Sequence, residues 1–162
     1  MIIVDVKQRD NGLLDHVRKV TNRYAATIEV GYLSNQMYKH PIGARRPKNP
    51  PPITMQALHR IHEEGRGNRP PQRATISPSF AKNRRKYAVL AKKQITPIFR
   101  RKKTINQGWN EIGQMAIEDI RDYMKVRENF QPLAAITIWR KQSDFPLLDT
   151  GQLREKLEYK VK

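Results

Sequence analysis

His59, His62 and Glu63 form a close grouping of metal-competent side chains in this 162-residue chain. A spacing of three places both imidazoles on one face of a helix. The helix of a zinc protease instead separates its histidines by four and sets the glutamate between them, and that pattern is absent. A solvated helix face is therefore expected here, not a metal or catalytic centre. His16 and His40 stand alone. Glu118, Asp119 and Asp122 bring three carboxylates close together, as a magnesium-dependent nuclease would need. They fall on the outward face of a strongly amphipathic helix, where such charges are ordinary. Asp144 and Asp149 flank Phe145-Pro146, the first as a loop residue and the second as a cap. There is no phosphate-binding glycine loop, dinucleotide fingerprint or nucleophile elbow. Without cysteine, the chain has neither a disulfide framework nor a thiolate zinc site. Neither an enzymatic reaction nor a cofactor is expected.

The chemistry that does stand out is charge. The formal net charge is +17. From Lys39 to Lys103 there are 18 Lys and Arg against Glu63 and Glu64, a net of +16, while the remaining residues carry 14 basic and 13 acidic groups, a net of +1. A segment so biased has to face something anionic or rely on self-repulsion for solubility. Arg45, Arg46, Lys48, Arg66, Arg69, Arg73, Arg84 and Arg85 are the candidate contacts, with Arg100 and Arg101 beyond them. Such cations grip phosphates, which position a protein without reading sequence. No recognition-helix pattern or aromatic stacking platform accompanies them, so sequence-specific reading is not expected. DNA, RNA and an acidic protein surface all remain open as the partner.

The elements that must carry these residues suit a single α+β domain spanning 1–162. Hydrophobic residues make up 38% of the chain, enough for one modest core. Met1–Val6 alternates weakly, as an edge strand does. Leu13, Leu14, Val17 and Val20 recur at helical spacing from 13 to 22. Residues 25–33 have the period of a strand, with Ile28, Val30 and Tyr32 on one face and Gly31 marking a bulge or close approach. Residues 34–52 and 65–76 read as extended basic arms rich in proline, which favours extended backbone. Between them Thr54 caps a helix that Gly65 ends, with Leu58 and Ile61 inward. Ser77-Pro78 starts a basic helix that should stop at Ile95, ahead of Pro97. Its expected apolar stripe is Phe80, Tyr87, Leu90, Ala91 and Ile95. Ile105, Trp109, Ile112, Ala116, Ile120 and Met124 then mark the clearest helix, from Thr104 to Val126, lying across the sheet with Trp109 buried and the acids outward. Pro132–Lys141, carrying Trp139, is a short helix or an extended piece. No stretch has the apolar length of a membrane span, and the first residues lack the basic start and apolar run of a signal peptide. A soluble protein made in the cytoplasm is expected.

The end of the chain is the most heavily punctuated part. Pro146 stiffens the approach, Leu147 and Leu148 are an apolar pair, and Asp149 and Thr150 have oxygens to offer to backbone N–H groups. Gly151 permits a backbone angle denied to other residues. Leu157, Tyr159 and Val161 then alternate with Glu158, Lys160 and Lys162, the period of a strand buried on one face. Pairing this strand with 25–33 closes one small antiparallel sheet containing both chain ends. On this reading alone the stretch is a turn and a final strand.

The string Pro146-Leu147-Leu148-Asp149-Thr150-Gly151-Gln152-Leu153-Arg154 resembles the C-terminal signature of bacteriophage virion-morphogenesis proteins, the tail-completion and neck proteins of long-tailed phages. The resemblance extends upstream to Pro132, Thr137, Arg140 and Lys141. It also takes in Glu64-Gly65, Arg69-Pro70-Pro71-Gln72-Arg73 and Pro78–Phe80, about the last two-thirds of the chain. It implies a structural protein at the head–tail junction, assembled in the host cytoplasm as a ring, a hexamer, around the DNA channel. Its partners would be adjacent neck, connector or tail-tube proteins, with non-specific phosphate contacts to DNA and no membrane. Pro146 to Leu153 would hold the C-terminal turn, and the two basic arms would order against neighbouring rings. A basic nucleic-acid-binding protein with no place in a virion is the competing expectation.

Overall fold

The computed structural model describes residues 27–41, 49–66 and 70–162. The expected strand at 1–6 and helix at 13–22 lie outside these residues, as do the middle of the first arm (42–48) and part of the second (67–69). The described elements are strand β1 (Ile28–Gly31), helices α1 (Met55–Glu64), α2 (Ile76–Phe99) and α3 (Ile105–Lys125), and a single 3-10 turn at Arg127–Asn129. Short helices α4 (Ala135–Lys141) and α5 (Gln152–Glu155) and strand β2 (Glu158–Val161) follow. The fold is mixed, mostly helical, with a small two-stranded sheet.

β1 and β2 pair antiparallel in the register Ile28↔Val161, Glu29↔Lys160, Val30↔Tyr159 and Gly31↔Glu158. Thr27 and Lys162 add a reciprocal pair of backbone hydrogen bonds at 3.0 and 2.8 Å. Two strands alone are marginal in water, so the sheet needs a cover. α3 supplies it. Ile117, Ile120 and Met124 meet Tyr32, Met55, Leu153 and Leu157 in one core cluster, with Val30, Leu58, Phe80 and Tyr159 packed around it. Residues 36–38, expected in an open arm, pair back on the start of α1: Met55 N–H donates to Gln36 O at 2.8 Å and Tyr38 N–H to Ile53 O at 2.9 Å.

α2 and α3 form an antiparallel hairpin. Its direction is fixed by the pairs Lys86–Asp119 at 2.6 Å and Gln94–Glu111 at 2.8 Å, which step along the two helices in opposite senses. Thr104 begins α3 with a capping box, accepting from Gln107 N–H at 3.2 Å while its own N–H donates to the Gln107 side chain at 2.9 Å.

Four expectations for this hairpin are corrected. α2 runs through Pro97 to Phe99. The proline lies in the last turn, where the missing N–H and the crowding of one carbonyl cost little continuing helix. Its own carbonyl accepts from Lys102 N–H at 2.8 Å, and Ile98 packs on Gly108. The inward face of α2 carries Gln94, not Ile95, which is 48% exposed. Gln94 is tolerated there because its amide is bonded to Glu111 and Lys103. Trp109 is half-buried: it lies on the stripe of α3 but close to its N-terminus, away from the core cluster. Asp119 is not outward, since its side chain is only 13% exposed and bonded to Lys86.

Gly113 marks the closest approach of α3 to the sheet, and a Cβ built there lands on the Tyr159 ring. Gly113→Ala therefore sets a helix-propensity gain of about 1 kcal/mol against an overpacking cost of about 1–3 kcal/mol. The cost should win, because the added Cβ meets three atoms of the Tyr159 ring at once. Urea denaturation should show a net loss of stability; a gain would mean that α3 and β2 are less tightly apposed.

Candidate functional site

Glu63 lies in the last turn of α1, beneath the start of α2. Gly65 turns the chain back at φ 73°, and a Cβ there would sit 2.9 Å from Gln72 N. Returning under α1, Arg73 N–H donates to His62 O at 2.7 Å. The Glu63 carboxylate accepts from Thr75 N–H at 2.7 Å, Ile76 N–H at 3.3 Å, Ser77 N–H at 2.9 Å and Ser77 Oγ at 2.7 Å. His59 Nε2 lies 3.3 Å away. The backbone donors at a helix start carry a partial positive charge, so a carboxylate from another helix is the complementary group. Burial pushes the Glu63 pKa up, but the hydrogen bonds from His59, Thr75 and Ser77 outweigh it and hold the carboxyl well below its usual range. Ser77 was the expected cap of α2. It instead donates to Glu63, and Thr75, the residue preceding α2, makes no side-chain cap bond to the helix. Nor are His59, His62 and Glu63 a solvated face, for all three are largely covered.

His62 lies on a cleft of about 990 Å³. Its Nδ1 is buried and has no hydrogen-bond partner among the described residues. Burial, then the positive charges of Arg73, His59 and Lys141, lower its pKa to about 4. Arg73 is 7% exposed, and its guanidinium donates to Gln131 O at 3.2 Å and Pro132 O at 3.3 Å. It is corrected from a free loop cation to a tie between the second arm and the segment before α4.

The same cleft gathers residues that are far apart in sequence. Pro70, Pro71 and Arg73 line one side, Pro132, Thr137, Arg140 and Lys141 another, and Leu147, Asp149, Thr150, Gly151, Gln152 and Leu153 a third. The last group is fixed by specific bonds. Pro146 is fully buried. Leu147 holds a left-handed backbone at φ 60°, a conformation a branched residue keeps only when its surroundings impose it. Leu148 N–H closes the turn on Pro146 O at 2.7 Å. Asp149 accepts from Tyr38 OH at 3.2 Å. Gly151 takes φ 77° and starts α5, a helical turn that the sequence reading did not assign between the turn and the strand. The Gln152 amide pairs with the backbone of Lys39 through both its groups, at 2.9 and 2.8 Å, and touches Thr150 Oγ1 at 2.7 Å. Leu153 is buried and its carbonyl accepts from Tyr32 OH. Arg121 of α3 ties down the Arg154 and Glu155 carbonyls at 2.9 and 3.2 Å.

The other candidate cations fall elsewhere. Arg45, Arg46, Lys48 and Arg69 lie outside the described residues. Arg66 is exposed at the start of the second arm, with its N–H on Pro70 O at 3.0 Å. Arg84 and Arg85 are exposed on α2, and neither forms an ion pair among the described residues. The sequence reading missed Tyr38, Leu58, His62 and Gln131 as lining residues. Only the proximity of His62 to the second arm hinted at it. No protein-family profile, curated protein or solved structure matches the chain.

Glu63→Ala should cost about 1–2 kcal/mol, the range of a lost helix cap. Glu64→Ala next to it removes an exposed pair with Arg60 and should cost under about 1 kcal/mol. Equal losses in chemical denaturation would remove Glu63 from its role. The depressed pKa of His62 means that the folded state keeps it neutral while the unfolded chain takes up a proton. The stability it contributes is present above pH 6.5 and is lost as pH falls toward 4, at up to about 1.4 kcal/mol per unit. Glu63 acts in the same direction but only below its ordinary value of 4.5. Melting temperatures between pH 7 and 5 should therefore fall for the native chain and fall less for His62→Gln; parallel curves would show that His62 titrates normally.

Proposed function

We propose that this protein is a structural component of the head–tail junction of a long-tailed bacteriophage. It is a neck or tail-completion subunit that forms a ring, a hexamer, and acts by protein–protein contacts around the DNA channel. The observation that supports this reading is that residues from three of the resembling segments line one cleft: Pro70, Pro71 and Arg73, then Pro132, Thr137, Arg140 and Lys141, then Leu147, Asp149, Thr150, Gly151, Gln152 and Leu153. Both chain ends belong to the small sheet in this reading. Arg45, Arg46, Lys48, Arg66 and Arg69 of the two basic arms are the contacts to neighbouring rings. Assembly takes place in the host cytoplasm, and the finished protein resides in the virion neck.

A second reading has an observation of its own. α2 contains no acidic residue, and Lys82, Arg84, Arg85, Lys92 and Lys93 are all exposed on it. Such a face grips duplex phosphates without reading sequence. Light scattering and negative-stain microscopy of the purified protein, alone and with tail tubes, separate the two. The neck reading expects closed rings and weak retention of free DNA. A monomer whose affinity for duplex DNA falls steeply with salt would replace it with the second.

A further inference from the structure

We infer that the cleft between the second arm, α4 and the C-terminal turn is a docking site for an acidic, extended peptide segment of a partner protein. This rests on the reading of the chain as one that works by binding neighbours, and it names the chemistry of the neighbour. At about 990 Å³ the cleft lies at the upper end of the size range of ligand sites. Its walls are apolar and stiff, formed by Pro70, Pro71, Pro132, Leu133 and Leu147. Its charge is one-sided: Arg73, Arg140 and Lys141 line it against a single carboxylate, Asp149. Arg73 is bonded to two neutral carbonyls, so its place is fixed and its charge still acts on the cleft. Arg140 is exposed and forms no ion pair among the described residues.

A guest that satisfies both the walls and the field alternates carboxylate and apolar side chains, as an extended acidic peptide does. A nucleic-acid strand fits less well. It needs aromatic faces on which to stack, and besides the largely covered His62 imidazole the one aromatic ring among the described lining residues is Tyr38. That ring already packs edge-on against His40, and its hydroxyl is bonded to Asp149.

The test uses the full chain and two fluorescein-labelled decapeptides, one alternating Glu and Leu and the other Lys and Leu, read by fluorescence anisotropy. The Glu–Leu peptide should bind and the Lys–Leu peptide should not. Arg140→Glu, a change at an exposed position, should weaken binding at least about tenfold. The double reversal Arg84→Glu, Arg85→Glu on α2 should leave it within about twofold. Circular dichroism checks that both variants are folded. Equal weakening by the two variants, equal binding of the two peptides, or no binding of the Glu–Leu peptide overturns the site. Displacement of the bound peptide by duplex DNA, with loss of DNA binding in Arg140→Glu, assigns the cleft to nucleic acid and also overturns it. Ring formation is scored separately by light scattering. A monomer that binds the Glu–Leu peptide keeps the docking site and retires the ring, and a ring indifferent to the peptide does the reverse.

Discussion

One carboxylate, Glu63, is shared between two helices, and much of the structure depends on that sharing. It belongs covalently to α1 and electrostatically to α2, whose first backbone donors it accepts. The bond fixes where α2 begins. The hairpin of α2 with α3 then fixes where α3 lies, and α3 covers a sheet too small to stand alone. The turn between Glu63 and α2 also carries Pro70, Pro71 and Arg73 to one wall of the cleft. A cap supplied by a neighbouring residue of the same helix would hold α2 equally well, but it would leave α1 and the second arm unattached to it. His59 adds a partner on the other side of the carboxylate, so the charge is solvated by protein groups on both flanks, as a partly buried ion requires.

The C-terminal turn performs the corresponding task from the opposite side. Gln152 treats the backbone of Lys39 as a strand would, donating and accepting at once. Tyr32 and Arg121 hold the carbonyls that follow. Each bond crosses more than thirty residues of chain, so the turn is imposed by tertiary structure and not by local preference. That explains how Leu147 keeps a backbone angle that suits glycine. Pro146 is buried on one side of it and Leu148 closes the turn on the other, and the strain is borne by the network.

What the sequence made legible follows the range of the interactions. Period and caps are local, so α3 with its Thr104 cap, α1 with Thr54 and Gly65, and the pairing of 28–31 with the last strand could all be read from residue types. Glu63 as the cap of a helix twelve residues further on could not, because no spacing rule links a helix C-terminus to the N-terminus of the next. The same limit misled the reading of Arg73, which looks like any loop cation until Gln131 and Pro132 are brought to it. Pro97 misled in another way: the rule that proline ends a helix at the preceding residue is weak in the last turn, where few bonds remain to lose. Gln94 displaced Ile95 from the inner face because a polar side chain with two partners is a tolerable core residue, and its partners are Glu111 on α3 and Lys103 in the turn before it. The cleft was legible only as a set of resembling segments. Nothing in the chain's order shows that they meet.

Among the described residues the fold leaves most of the charge that dominates the composition unanswered. Lys86 and Lys103 find Asp119 and Glu111, and the other Lys and Arg pairs there lie at the surface, where such bridges contribute little. Along α2, Lys82 stands three residues from Arg85 and four from Lys86, so like charges share one face and each pair costs a few tenths of a kcal/mol, about the magnitude of a favourable pair reversed. The helix holds because its inner face packs on α3 and its start is held by Glu63. An anionic neighbour would relieve that repulsion at every cation it covered, and by linkage whatever it relieves in the folded state it adds to stability when bound. The cleft and the outer face of α2 are both positive, but they present different surroundings: apolar walls with a fixed cation in one, an open row of exposed side chains in the other. A partner with apolar residues between its carboxylates gains from the first and little from the second, whereas a phosphate backbone gains from the second and finds no stacking surface in the first.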